Sequence, residues 1–177
     1  MKAIYFLLPL FMINACKTQT GPTTASENTK MEQVENKKSG CPDDGTCSVE
    51  VHQNKTLIVK DDGTGSFYPD FEEGNNTIIA YTYHKPGPKG VADADYSETI
   101  HFEIPAGVEN FKKSDASLSD VNLLYGRHCF CRDGGYFPVT KGKLVVEKTE
   151  NGIMFDLKFD TGKTTQVISH IRETAKM

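Results

Sequence analysis

From Cys41 onward, apolar and polar residues alternate in short runs. Ile100, Phe102 and Ile104 alternate with Thr99, His101 and Glu103, and Ile153, Phe155, Leu157 and Phe159 alternate with Met154, Asp156 and Lys158. Ile79, Tyr81 and Tyr83 do the same with Ala80 and Thr82. Val49 with Val51, and Leu57 with Val59, give two shorter cases. A period of two places alternate side chains on one face of a strand, so each run predicts a half-buried strand. Asn151-Gly152 stands between "KLVVEK" and "IMFDLKF" and predicts a tight hairpin. "HQNKT", "DDGTG" and "EEGNN" predict turns between earlier strands, and residues 84–97, rich in Pro and Gly, a long connection. Only "SDASLSDVNLLYGR" reads as helical, with Ser114 or Ser117 as cap and Leu118, Val121 and Leu124 on its apolar side. The expected fold is mostly β: an antiparallel sandwich or small barrel of about eight strands with one short helix, formed by residues 41–177 as a single domain.

The first forty residues follow a different pattern. Lys2 precedes an apolar run over residues 3–13, eleven residues long. As a helix it rises roughly 16 Å, about half a bilayer core. That is too short to span but suits the apolar region of a secretory signal. The run ends in Ile13-Asn14-Ala15-Cys16, which resembles the lipobox of bacterial lipoproteins. The resemblance implies a signal peptide over 1–15 and a diacylated Cys16 as the mature first residue. Two or three acyl chains, at about 0.8 kcal/mol per buried CH₂, make a stable membrane anchor. Lys17 does not resemble the Asp that keeps some members of that family in the inner membrane, which points to the outer membrane. Residues 17–40 hold only Ala25, Met31 and Val34 as apolar side chains, too few to offset the entropy of ordering them. They are expected to form a flexible tether with a reach of about 25–30 Å. The closing stretch from "GYFPVTKGKLVVEK" to "ISHIRE" is similar to the C-terminal meander of small β-sandwich lipoproteins, which bears on fold and not on ligand.

An oxidising compartment changes the reading of Cys41, Cys47, Cys129 and Cys131. Four cysteines there predict two disulfides. On one strand, Cys129 and Cys131 would point the same way with Cα atoms nearly 7 Å apart, at the limit for a bond. Both bonds are therefore expected to run between the "CPDDGTC" pair and the "CFC" pair, in either order. The rival is a zinc or copper site built from Cys41, Cys47, His128, Cys129 and Cys131. A redox-active pair usually reads C-x-x-C, and "CFC" lacks that spacing.

The formal charge is −4, and the longest cationic runs are Lys37-Lys38 and Lys112-Lys113. No basic footprint for nucleic acid is present. Asp160-Thr161-Gly162 has the letters of an aspartic-protease signature but no second copy, and Gly162-Lys163-Thr164 lacks the glycine a P-loop needs five places earlier. Asp43-Asp44, Asp61-Asp62, Asp93, Asp95 and Glu98 could hold calcium, although turn chemistry alone explains Asp-Gly. His52, His84, His101, His128 and His170 form no i, i+4 pair. Tyr81, Tyr83 and Tyr96 border the long connection and are candidate recognition residues. Tyr81 and Tyr83 share a face with Ile79, however, which favours core packing. The expected function is that of a lipid-anchored, non-enzymatic binding or structural module of the cell envelope, facing the periplasm or cell surface. It needs no cofactor, and its ligand is an unknown protein or small molecule. A Cys/His metal-handling protein and a hydrolase with a spatially assembled site are the alternatives.

Overall fold

The structure, a computed structural model, describes residues 40–177. The expected signal peptide, the lipobox-like stretch with Cys16 and all but the last residue of the expected tether (17–40) lie outside the described residues. Nine strands follow in order: β1 (Thr46–Asp61), β2 (Phe67–Lys85), β3 (Tyr96–Ile104), β4 (Asn110–Ser114), β5 (Leu124–His128), β6 (Gly135–Pro138), β7 (Gly142–Thr149), β8 (Gly152–Phe159) and β9 (His170–Ala175). All pairings are antiparallel and form two sheets, β1-β2-β3-β5-β6 and β4-β7-β8-β9. The fold class is the expected one.

β1 and β2 are longer than the sequence pattern suggests, because two of the expected turns are bulges inside them. At "HQNKT" the register of β1 shifts between Gln53 and Lys55, where Asn54 takes a left-handed φ of 57°. "EEGNN" lies opposite within β2, and its Gly74 packs so closely on Thr56 that any Cβ would collide with that hydroxyl. The bulges bend the strands without breaking them. Only "DDGTG" is a true turn. There Asp62 Oδ1 accepts the Thr64 N–H at 2.8 Å and the Thr64 hydroxyl at 2.7 Å. The bend carries the start of β2 round to β6, where Phe67 pairs with Tyr136 and closes the first sheet on itself.

This curl gives the first sheet two buried faces. Ile79, Tyr81, Tyr83, Ile100, Phe102 and Tyr125 face the second sheet and pack against Leu144, Val146, Phe155, Leu157, Phe159 and Ile171. Phe102 meets Phe155 edge-on at 5.4 Å between ring centroids. On the opposite face Leu57, Ile78, Ala80 and Leu124 are buried as well, together with His101 and Glu103. β3 is thus buried on both faces rather than half-buried as its alternation predicts. Glu103 Oε2 accepts the Leu57 N–H at 2.8 Å, and the His101 ring lies between Phe71 and Tyr136.

The helical segment is a 3₁₀ helix, Asp115–Val121, which buries Leu118 and Val121 as expected. The Ser117 hydroxyl accepts the Ser114 N–H at 2.8 Å and donates to the Ser114 carbonyl. The helix does not reach Leu124, because Asn122 turns left-handed at φ 52° and its amide donates to the Leu57 carbonyl at 2.9 Å. Leu124 instead opens β5. The β7–β8 hairpin turns on Glu150 and Asn151, one residue before the expected pair, with Thr149 opposite Gly152. Gly152 has φ 130°, and a Cβ there would collide with the Ala175 carbonyl of β9.

Candidate functional site: the loop-bearing end

The register brings four loops to one end of the molecule. Thr46 pairs with His84, His84 with Ser97, and Ser97 with His128. Residues 40–45, 86–95 and 129–134 therefore all leave the first sheet at the same edge. Residues 160–169, between β8 and β9, join them, since Val167 and Ile168 bond to Glu98 at the start of β3.

Glu98 is fully buried. It lies on the same face of β3 as Ile100 and Phe102, directed at the second sheet. Its Oε1 accepts the Val167 N–H at 2.6 Å and the Tyr96 hydroxyl, and its Oε2 accepts the Ile168 N–H at 2.8 Å. A buried carboxylate needs such donors, because an unpaired one would cost several kcal/mol, roughly. Burial, then the Glu98 charge, pushes the neighbouring Tyr125 phenol well above its usual range. The Tyr96 phenol is raised to about 12 by burial and by its bond to Glu98.

The other loops are fixed by similar means. Asp44 accepts from Lys85 Nζ and from the Tyr83 hydroxyl, each at 2.7 Å, and ties residues 40–45 to β2. Lys85, then Tyr83, holds the Asp44 carboxyl below its ordinary range. Arg127 bonds Asp133, and its guanidinium carbon lies 5.5 Å above the Tyr96 ring. Asp133 Oδ2 also accepts the Thr164 hydroxyl at 3.0 Å, joining residues 129–134 to residues 160–169. Asp95 Oδ1 accepts the Gly87 N–H at 2.8 Å across the base of the long connection. Asp160 accepts the Gly162 N–H at 2.8 Å, so the protease-like letters form a polar turn. On this frame Val91, Phe130 and Val167 are 58, 96 and 50 % exposed, one apolar tip on each of three loops.

The candidate recognition tyrosines do not supply this surface. Tyr81 and Tyr83 are fully buried against the second sheet, so the core-packing reading describes them and the recognition reading is corrected. Tyr96 is half-buried, with its hydroxyl engaged by Glu98. Phe130, Val91 and Val167 were missed because a single apolar residue in a polar loop carries no periodicity. Glu98 keeps the parity of Ile100, Phe102 and Ile104, which is what directs it inward rather than into the long connection.

The cysteine pairing also differs from expectation. Cys41 bonds Cys47 with Cα atoms 5.9 Å apart, and Cys129 bonds Cys131 at 5.2 Å. Cys47 is on β1 and Cys129 follows β5, with β2 and β3 between them. Three strand spacings amount to roughly 14 Å, far beyond disulfide reach. "CFC" also leaves the strand at His128 and folds back, the Cys131 N–H donating to the Cys129 carbonyl at 2.8 Å. That turn removes the extended spacing on which the crossed pairing rested. All four sulfurs are thus oxidised. His128 Nε2 lies 3.1 Å from the Thr99 hydroxyl. The proposed metal set of Cys41, Cys47, His128, Cys129 and Cys131 therefore offers no thiolate. Among the described residues, no group of three or more His, Cys, Asp or Glu is placed to hold an ion. The His–Asp pairs His84–Asp95 (3.8 Å) and His170–Asp156 (3.0 Å) are surface pairs, and no hydrogen bond from Ser or Cys to either histidine is found among the described residues.

In comparisons with known proteins the chain matches no family model, no curated protein and no solved structure.

Proposed function

We propose that the protein is a lipid-anchored cell-envelope lipoprotein that acts as a non-enzymatic recognition module, with the loop-bearing end as its binding surface. One observation carries the binding role. Four loops converge on one end, three are fixed to the sandwich by a charged side chain and the fourth is pinned across its own base by Asp95, and three of them expose an apolar tip. Exposed apolar side chains on a pre-ordered frame favour binding, because little further ordering is needed when a partner arrives. The lipobox supports the address: acylation at Cys16 holds the chain to the outer membrane and a tether of 24 residues lets the domain stand off from it. The partner is a protein or small molecule with an apolar face.

The test has two parts. Labelled palmitate should appear on the wild-type chain and not on Cys16→Ser. Capture from native envelopes should then be compared between wild type and a Val91→Ser/Phe130→Ser/Val167→Ser variant of unchanged melting temperature. Loss of the captured species in the variant supports the reading. Equal capture by both, or an unlabelled wild type, overturns the corresponding half.

A further inference from the structure

We propose that Cys129–Cys131 is a thiol–disulfide exchange site for dithiols of other proteins, whereas Cys41–Cys47 is structural. The inference does not depend on the recognition reading. Its premise is the local pairing itself. The bond closes over a single residue, Phe130, which is 96 % exposed, so the ring projects from the end of the sheet into solvent. Cys131 is exposed and Cys129 half-buried. Neither belongs to the core, whereas Cys41 and Cys47 both pack against it. A bond that closes a short loop restricts the unfolded chain little, so by linkage the fold stabilises it less than it does a bond over a longer loop; the separations are 2 here and 6 in Cys41–Cys47. An exposed disulfide that gains little from closure is the labile kind. The exposed Arg132 follows the pair directly and offers a positive charge to a thiolate, whereas Arg127 is already paired with Asp133.

The step balances as follows. A thiolate of the substrate attacks the more exposed sulfur, Cys131 Sγ. The bond between the two sulfurs breaks and its electron pair leaves on Cys129 Sγ, which takes up a proton. The substrate is now joined to Cys131 as a mixed disulfide. Its second thiolate attacks its own bonded sulfur and expels Cys131 as a thiolate, which is protonated in turn. The substrate loses two electrons and two protons to become a disulfide, and the CFC pair gains both as a dithiol. Exchange with a second disulfide, such as oxidised glutathione, restores the ring.

The full chain should be equilibrated in glutathione buffers, quenched with acid, alkylated and mapped by peptide mass spectrometry. Cys129 and Cys131 should become half-reduced at a reducing ratio about tenfold milder than Cys41 and Cys47 require. The oxidised chain should also convert a reduced dithiol peptide to its disulfide. That activity should persist in Cys41→Ala/Cys47→Ala and disappear in Cys129→Ala/Cys131→Ala. Equal resistance of the two bonds, or peptide oxidation that survives loss of Cys129 and Cys131, would overturn the proposal.

Discussion

Glu98 accepts the N–H of Ile168 at 2.8 Å, across 70 positions of sequence and from the first sheet to the loop that enters the last strand of the second. With the adjacent Val167 N–H it forms a charged clamp inside an otherwise apolar interface. The last strand of the molecule, β9, is thereby entered from a loop that the first sheet holds.

Glu98→Ala should lower stability by about 3 kcal/mol, since one buried and one part-buried N–H group lose a charged acceptor. Glu98→Gln, which keeps one acceptor oxygen, should cost less. Hydrogen exchange at Val167 and Ile168 should accelerate in both variants more than at Phe155, in the centre of β8. An alanine variant with the wild-type melting temperature would remove the clamp from the account.

His101 gives the fold a pH dependence of definite sign. Burial, then the charges of His128 and His52, lowers its pKa from 6.5 to about 4. The unfolded chain therefore binds a proton more readily than the folded one. Stability is full above pH 6.5 and declines as pH falls from 6.5 through about 4, by on the order of 3 kcal/mol in all. Urea unfolding at pH 7 and pH 4.5 should show the decline. His101→Phe should remove most of it, the likewise lowered His128 supplying part of the remainder, and lowered carboxylates such as Asp44 add to the loss only below about pH 5.

Gly152→Ala should destabilise by at least about 2 kcal/mol, from a φ of 130° that an alanine rarely adopts and from collision with the Ala175 carbonyl. Thermal unfolding should shift down by roughly 6–10 °C. A neutral result would mean that β9 does not pass where the register of Ile153 with Ala175 puts it.

Proteolysis without reductant, followed by mass mapping, should return Cys41 linked to Cys47 and Cys129 linked to Cys131. Any peptide joining the two regions would contradict the strand order, because β1 and β5 are separated by two strands.

The strands with long alternating runs were legible in the sequence: β3 and β8 carry complete ones, and β7 was marked by its hairpin. β4, β5, β6 and β9, of four to six residues each, are too short to show a period. "HQNKT" and "EEGNN" misled for a physical reason. Asn and Gly serve a bulge as well as a turn, and only the strand opposite decides which. The cysteine pairing and the role of Glu98 were hidden for a related reason. Each depends on which elements are neighbours, a property of the assembled sheets. Phe130 stands out only through the bond between its two flanking cysteines, which the sequence does not specify.

Among the described strands, β2 alone is hydrogen-bonded to three others, β1, β3 and β6. Its ladder can open only after those partners have let go, so unravelling of the first sheet should begin at the free side of β1 and reach β2 late. The slowest amides to exchange should lie near Ile79, and a protease acting on the native chain should find the loop-bearing end long before it finds the middle of that strand.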